Sequence, residues 1–225
     1  MDWKPCDPPQ LPPTAGAFVA VAPLQEGRDG DELFAAIAGP GDDELWRFIA
    51  FGPPESAESL LAILSGAREA GQWQPMIFRA AAGGPALGMA SYMRMRPEVG
   101  SAEVGGIVFS RALQRTAAAS EGLYLMARHL FDDLGYRRFE WKCDDANAPS
   151  KRSALRLGFR FEGVFRQDLV VKGKNRDTAW FSMLDAEWPS IRAAFEAWLA
   201  PNNFDSAGGQ KRALAAIRAE ITGRA

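Results

Sequence analysis

Between residues 117 and 134 the apolar side chains of Leu123, Met126, Ala127, Leu130, Phe131 and Leu134 recur at intervals of three and four. This spacing predicts a long helix with one buried face, ended by Gly135. A period of two follows, in which Phe139, Trp141 and Cys143 alternate with Glu140, Lys142 and Asp144, as in a strand. Ahead of the helix, residues 75–81, 86–96 and 101–110 read as strands, the first two joined by Gly83-Gly84-Pro85 as a hairpin. Earlier still, residues 17–22 read as a short strand, and Asp29 or Asp31 offers a cap for a helix running to Ile37. Leu45, Trp46, Phe48 and Ile49 predict a second helical stretch closed by Gly52-Pro53-Pro54. Leu60, Ile63, Leu64 and Ala67 predict a third within residues 55–70.

Beyond Asp144, Pro149 to Leu157 reads as a short helix stopped by Gly158, with Asn147 as its cap. A final hairpin, 159–172 with 176–184, is expected to turn at Gly173-Lys174-Asn175, before a helix through Trp188, Ile191, Phe195 and Trp198. Strand, strand, strand, helix, strand, helix, hairpin is not simple βαβ repetition. It predicts an α/β fold: a single domain with a central mixed β-sheet flanked by helices. Pro5, Pro8, Pro9, Pro12 and Pro13 exclude regular structure at the start. The expected boundaries are a Pro-rich N-terminal arm over 1–13, the folded domain over 14–200 and a polar C-terminal tail over 201–225. A helix is expected in that tail between Lys211 and Ile221.

Composition narrows the function classes. A net charge of −2 over 225 residues gives no basic field for a phosphate backbone, so nucleic acid is not an expected partner. Cys6 and Cys143 lie far apart without CxxC spacing, which predicts neither a disulfide framework nor a metal site. No run of 18 apolar residues and no signal-peptide pattern occurs, so the cytoplasm is the expected compartment, away from membranes.

Four segments carry candidate chemistry. Ala102-Glu-Val-Gly-Gly-Ile-Val-Phe109 is a strand with a carboxylate at its start and two glycines inside, a signal of a bulge or of another group's close approach. Gln114-Arg-Thr-Ala-Ala-Ala-Ser120 leads with small residues into the long helix, whose first N–H groups and positive dipole end suit a pyrophosphate. Asn147-Ala-Pro-Ser150 and Leu157-Gly-Phe159 frame the short helix. Glu162-Gly-Val-Phe-Arg166 and Asp177 lie on the final hairpin. Each segment taken singly has a purely structural explanation.

In this order and spacing, the segments resemble the GNAT N-acetyltransferases, in particular the RimJ/RimL-like branch, from about Ala86 to Asp185. The resemblance implies a sheet splayed open between Glu103–Phe109 and Arg138–Asp144, with the pantetheine arm of acetyl-CoA lying against the exposed strand edge. It also implies that Ile107, Val108 and Phe109 face the thioester with their N–H groups. The pyrophosphate would rest on Gln114, Arg115, Thr116, Ala117, Ala118, Ala119 and Ser120. Where the family's loop carries its first glycine this chain has Ala117, whose methyl raises the question of whether the backbone there needs φ > 0.

An alkylamine with a pKa near roughly 10 is protonated at neutral pH and needs a base before it can attack a thioester. By resemblance that base is Glu103. The tyrosine that many members place on the helix before Gly-Phe is missing from Ser153-Ala-Leu-Arg-Leu157; the resemblance to the RimJ/RimL-like branch, which has a serine three residues after the asparagine, implies Ser150, with Asn147, at the leaving thiolate. The reading is therefore a direct transfer in a ternary complex to a primary amine, on a small molecule or a protein N-terminus, with a homo-oligomer left open.

Trp46, Phe48, Phe51 and Trp73 are candidates for the acceptor wall, or for the core. Arg47, Arg94 and Arg96 are candidates for an anionic part of the acceptor. His129 lies away from every motif, and Cys143 reads as core. Two rival readings are a catalytically weak acyl-CoA-binding sensor, motivated by Ala117 and the missing tyrosine, and an acyltransferase for longer acyl-CoA, motivated by Met89, Met93 and Met95.

Overall fold

A computed structural model of the chain describes residues 3–223, leaving the outermost two residues of the predicted arm and of the tail outside the described range. The strands are β1 (Thr14–Ala15), β2 (Val19–Pro23), β3 (Trp73–Ala80), β4 (Ala86–Arg96), β5 (Ser101–Phe109), β6 (Arg138–Asp144), β7 (Arg160–Val171) and β8 (Lys174–Leu184). The helices are α1 (Glu26–Ile37), α2 (Ala57–Glu69), α3 (Ala117–Arg128), α4 (Ala148–Leu157), α5 (Trp188–Leu199) and α6 (Leu214–Thr222). One sheet holds all eight strands in the order β1-β2-β3-β4-β5-β6-β8-β7, antiparallel throughout except for β5 beside β6. The mixed α/β sheet expected from the element order is the one observed, and it is open, as the resemblance implied.

Alternating side chains send two cores to opposite faces of the sheet. One face packs Ala90, Tyr92, Val104, Phe139 and Trp141 against Leu123 and Met126 of α3 and Phe195 of α5. The other packs Ile77, Met89 and Val108 against Leu33 and Ile37 of α1, Leu60 and Leu64 of α2, and Trp46.

Several expected elements differ from those observed. The second helical stretch is only a 3₁₀ turn, Asp43–Trp46. Gly41 at φ 87 and the prolines at 53 and 54 confine it, and the Trp46 indole turns inward to donate to the Ile37 carbonyl that ends α1. Helix α1 begins at Glu26, ahead of both expected caps, and Asp29 acts from inside it, accepting from the Gln25 N–H at 2.7 Å while also pairing with Arg79 of β3. The long helix loosens into a π turn over His129–Asp133, where Nδ1 of His129 meets Oδ2 of Asp133 at 2.8 Å. The last hairpin turns at Lys172-Gly173, two residues that both have positive φ (50° and 73°), as a tight two-residue turn requires.

Among its described residues the proline-rich segment forms no regular element before Thr14, yet it is packed. Leu11 is buried in the core, Tyr136 donates to the Asp7 carbonyl at 3.1 Å, and the Trp3 ring covers Gly100.

Candidate active site

Strands β5 and β6 are paired through only three positions, Ser101 with Arg138, Ala102 with Phe139 and Glu103 with Glu140. Beyond Glu103 they part, and β5 runs on to Phe109 with its β6-facing edge open. A bulge in β5 accompanies this parting. Residues 106 and 107 together oppose Ala90 of β4, a bulge made by Gly106 at φ 58, a backbone that a residue with a side chain adopts only with strain. The bulge also reverses the side-chain alternation, so that Val104 and Ile107 both contact the α3-side core while Val108 joins the α1/α2 side.

Glu103 sits at the vertex of the split, 2% exposed, on the α1/α2 face with Met93 as its partner on β4. Its Oε2 lies 3.5 Å from Nε of Arg94 and 3.5 Å from Nζ of Lys142. Both separations exceed a well-formed hydrogen bond, and among the described residues that oxygen has no closer donor. Burial pushes the carboxyl up to about 7, against the opposing pull of Lys142 and Arg94 and with help from neighbouring Glu140. A carboxyl in that range takes and releases a proton near neutral pH. Glu140 is held by Arg96 at 2.8 Å and by Arg138 at 2.7 Å.

On the opposite face, α4 follows β6. The Asn147 side chain accepts from the Ser150 N–H at 3.1 Å and so caps that helix. Ser150 Oγ accepts from the Trp141 indole at 3.0 Å, which anchors the hydroxyl to β6, and it also bonds with the Cys143 thiol beside it. Glu103 and Ser150 thus flank the split from its two faces.

At the start of α3, Thr116 takes the cap, accepting from the Ala119 N–H at 3.1 Å and donating to Leu113 O at 2.7 Å. The N–H groups of Ala117 and Ala118 belong to the first turn and have no intrahelical acceptor. Ala117 has an ordinary helical backbone; the positive φ of this loop falls on Arg115, at 61°. The alanine methyl therefore imposes no backbone strain. Gln114 donates to Phe109 O at 2.9 Å, tying the loop to the end of β5, and Arg156 of α4 donates to Ser120 at 2.5 Å. The open strand edge and the first-turn amides offer hydrogen-bond partners of the kind that the pantetheine amides and pyrophosphate of coenzyme A require.

Other candidates fall elsewhere. Trp46 is fully buried as core, whereas Phe51 and Trp73 follow it in an aromatic chain (5.5 and 6.0 Å between centroids) that ends beside Gly106. Arg47 pairs with Glu44 on the surface, and Cys143 is buried core. Met89 lies in the α1/α2-side core, Met93 against Gly105, and Met95 against the α3-side core, so the three share no single space. Glu162 binds Arg138 through both oxygens, and Asp177 accepts from the Gln167 N–H, so both brace the final hairpin.

Lys142 and Trp180 are absent from the sequence-derived site. The alternation of Glu140 and Lys142 reads as a solvated strand face. In the sheet, Lys142 instead reaches Glu103 of β5 and stands over Trp180 of β8 at the edge of the split.

Residues 21–160 match the family described as Acetyltransferase (GNAT) domain. Among solved structures, a GCN5-related N-acetyltransferase from Brucella melitensis is 42% identical with a TM-score of 0.92, covering 96% of this chain and 98% of that one. A probable acetyltransferase (GNAT family) from Chromobacterium violaceum ATCC 12472 is 38% identical with a TM-score of 0.79, covering 84% and 93%. The uncharacterized N-acetyltransferase YnaD of Bacillus subtilis (strain 168) is 28% identical over 83 residues; the match covers 37% of this chain and about half, 49%, of that relative. With the family match spanning most of the chain and the fold shared at this identity, the chain belongs to the GNAT acetyltransferases.

Proposed function

We propose that this chain is an acetyl-CoA-dependent N-acetyltransferase that acts on a primary amine by direct transfer within a ternary complex. The observation that carries the reading is the split between β5 and β6, with a buried, proton-accepting carboxylate at its vertex on one face and an anchored hydroxyl on the other. The open edge of β5 binds the pantetheine amides as a strand would, and the α3 amides at Ala117 and Ala118 hold the pyrophosphate. Bound acetyl-CoA supplies the activated acyl group.

Glu103 accepts the proton of the incoming ammonium, leaving the neutral amine able to attack. The N–H groups of Ile107 and Phe109, which alternate away from β4, offset the charge on the carbonyl oxygen, whereas that of Val108 faces β4. Ser150 donates a hydrogen bond to the departing thiolate, which is weakly basic and needs no stronger acid. Asn147, by capping α4, positions that serine. Asn147-x-x-Ser150 supports placing the chain in the RimJ/RimL-like branch.

Release of free CoA thiol from acetyl-CoA on addition of amines, with the acetylated amine identified by mass spectrometry, is the expected result. Tight CoA binding with no thiol released from any amine favours a binding module instead.

A further inference from the structure

The surroundings of Glu103 carry information about the acceptor beyond its amine. In β4, Arg94 and Met95 together oppose the single residue 102 of β5, and Arg94 adopts a left-handed backbone at φ 45, strained for an arginine. This second bulge turns the guanidinium toward Glu103. Lys142 arrives from β6, opposite Trp180 of β8. The two cations stand over the same indole, Arg94 at 5.0 Å and Lys142 at 5.3 Å from the ring centroid, and both lie 3.5 Å from Glu103 Oε2. Arg94 keeps 43% of its side chain exposed and Lys142 keeps 18%, so both remain reachable.

Local charge decides what this arrangement favours. Behind the two cations, Glu140 is occupied by Arg96 and Arg138, and Arg138 also binds Glu162. Four cations therefore face three carboxylates, and when Glu103 holds a proton the excess of positive charge doubles. A second ammonium, as on a polyamine, would be repelled there. A carboxylate attached next to the reacting amine would instead replace the charge that Glu103 loses.

We infer that the acceptor is a small amino carboxylate, bound with its nitrogen at Glu103 and its carboxylate between Arg94 and Lys142. The inference rests on the proposed role of Glu103 as proton acceptor. The shape of such a zwitterion, with opposite charges a few ångströms apart, matches the spacing of Glu103 from its two cations.

The test measures thiol release from acetyl-CoA with the common α-amino acids and β-alanine, each against its amide, and with spermidine. At least one carboxylate should exceed its own amide by about tenfold or more in kcat/KM, since losing a charged partner for a cation costs on that order. Arg94→Gln and Lys142→Gln should each cut that ratio to about twofold, and Arg94→Lys should restore part of it, a pattern that a merely structural role would not produce. Amides or spermidine used as well as the carboxylates would overturn the inference while leaving acyl transfer intact.

If no amine releases thiol, calorimetric titration of the same compounds into the CoA-loaded protein decides. Tighter binding of a carboxylate than of its amide keeps the inference and overturns transfer, and binding of none overturns both.

Discussion

Glu103 is the residue on which the proposed chemistry turns, because burial and its two cations act on it in opposite directions and burial prevails. Activity should rise with pH through about 7 as the carboxyl loses its proton, and Glu103→Gln should lower kcat by about a hundredfold or more and abolish that limb. Steady-state rates between pH 5 and 9 check both. The same burial has a cost for stability. A carboxyl raised from 4.5 to about 7 in the fold stabilises it fully only below the lower value, and that contribution is lost as pH climbs through the upper one. Glu103→Gln should therefore gain stability relative to the parent as pH goes from 5 to 8 in urea titrations. Ser150→Ala should slow turnover by at most about a hundredfold without moving the pH limb, because its hydroxyl supports a leaving group and takes no proton from the amine. Loss of the limb in the serine variant would reassign the base.

At the scale of elements, α3 is the part that aligns the site, and its own anchor is Glu121. This buried side chain accepts the N–H groups of Ala17 and Phe18, each at 2.7 Å, and of Val19 at 3.0 Å, clamping the turn between β1 and β2 to the helix. Glu121→Ala should destabilise the protein by about 3 kcal/mol in chemical denaturation, the cost of leaving buried amides without acceptors. The clamp was not legible in the chain, where Glu121 reads as one more residue after the small-residue run. The helix itself was, through its three-and-four spacing, and so were the strands with a period of two. The stretch around Trp46 misled because its apolar residues have helical spacing but serve as a lid on α1 and α2, too short between its glycine and prolines to continue. The bulges at Gly106 and Arg94 mark the same boundary. Glycine signalled the first, but nothing in an arginine announces a left-handed backbone.

Across the whole molecule, the sheet's two faces perform separate tasks. One holds α3 and α4, where the proposed reaction places the donor; the other holds Glu103, Lys142, Trp180 and the aromatic run to Trp73, where the proposal places the acceptor. The packed segment from Trp3 to Leu11 and the helices α5 and α6 brace the donor-side layer without entering the split. The resemblance carried by the motif order anticipated the split between β5 and β6. The charge around Glu103 emerged only when β4, β6 and β8 were laid side by side. In the proposed function coenzyme A lies along the open edge of β5 and over the first turn of α3. Amide hydrogen exchange with and without CoA tests it most directly. Protection should appear in residues 104–109 and 116–120 and leave β2 and β3 unchanged, whereas binding that protects neither segment would contradict the account.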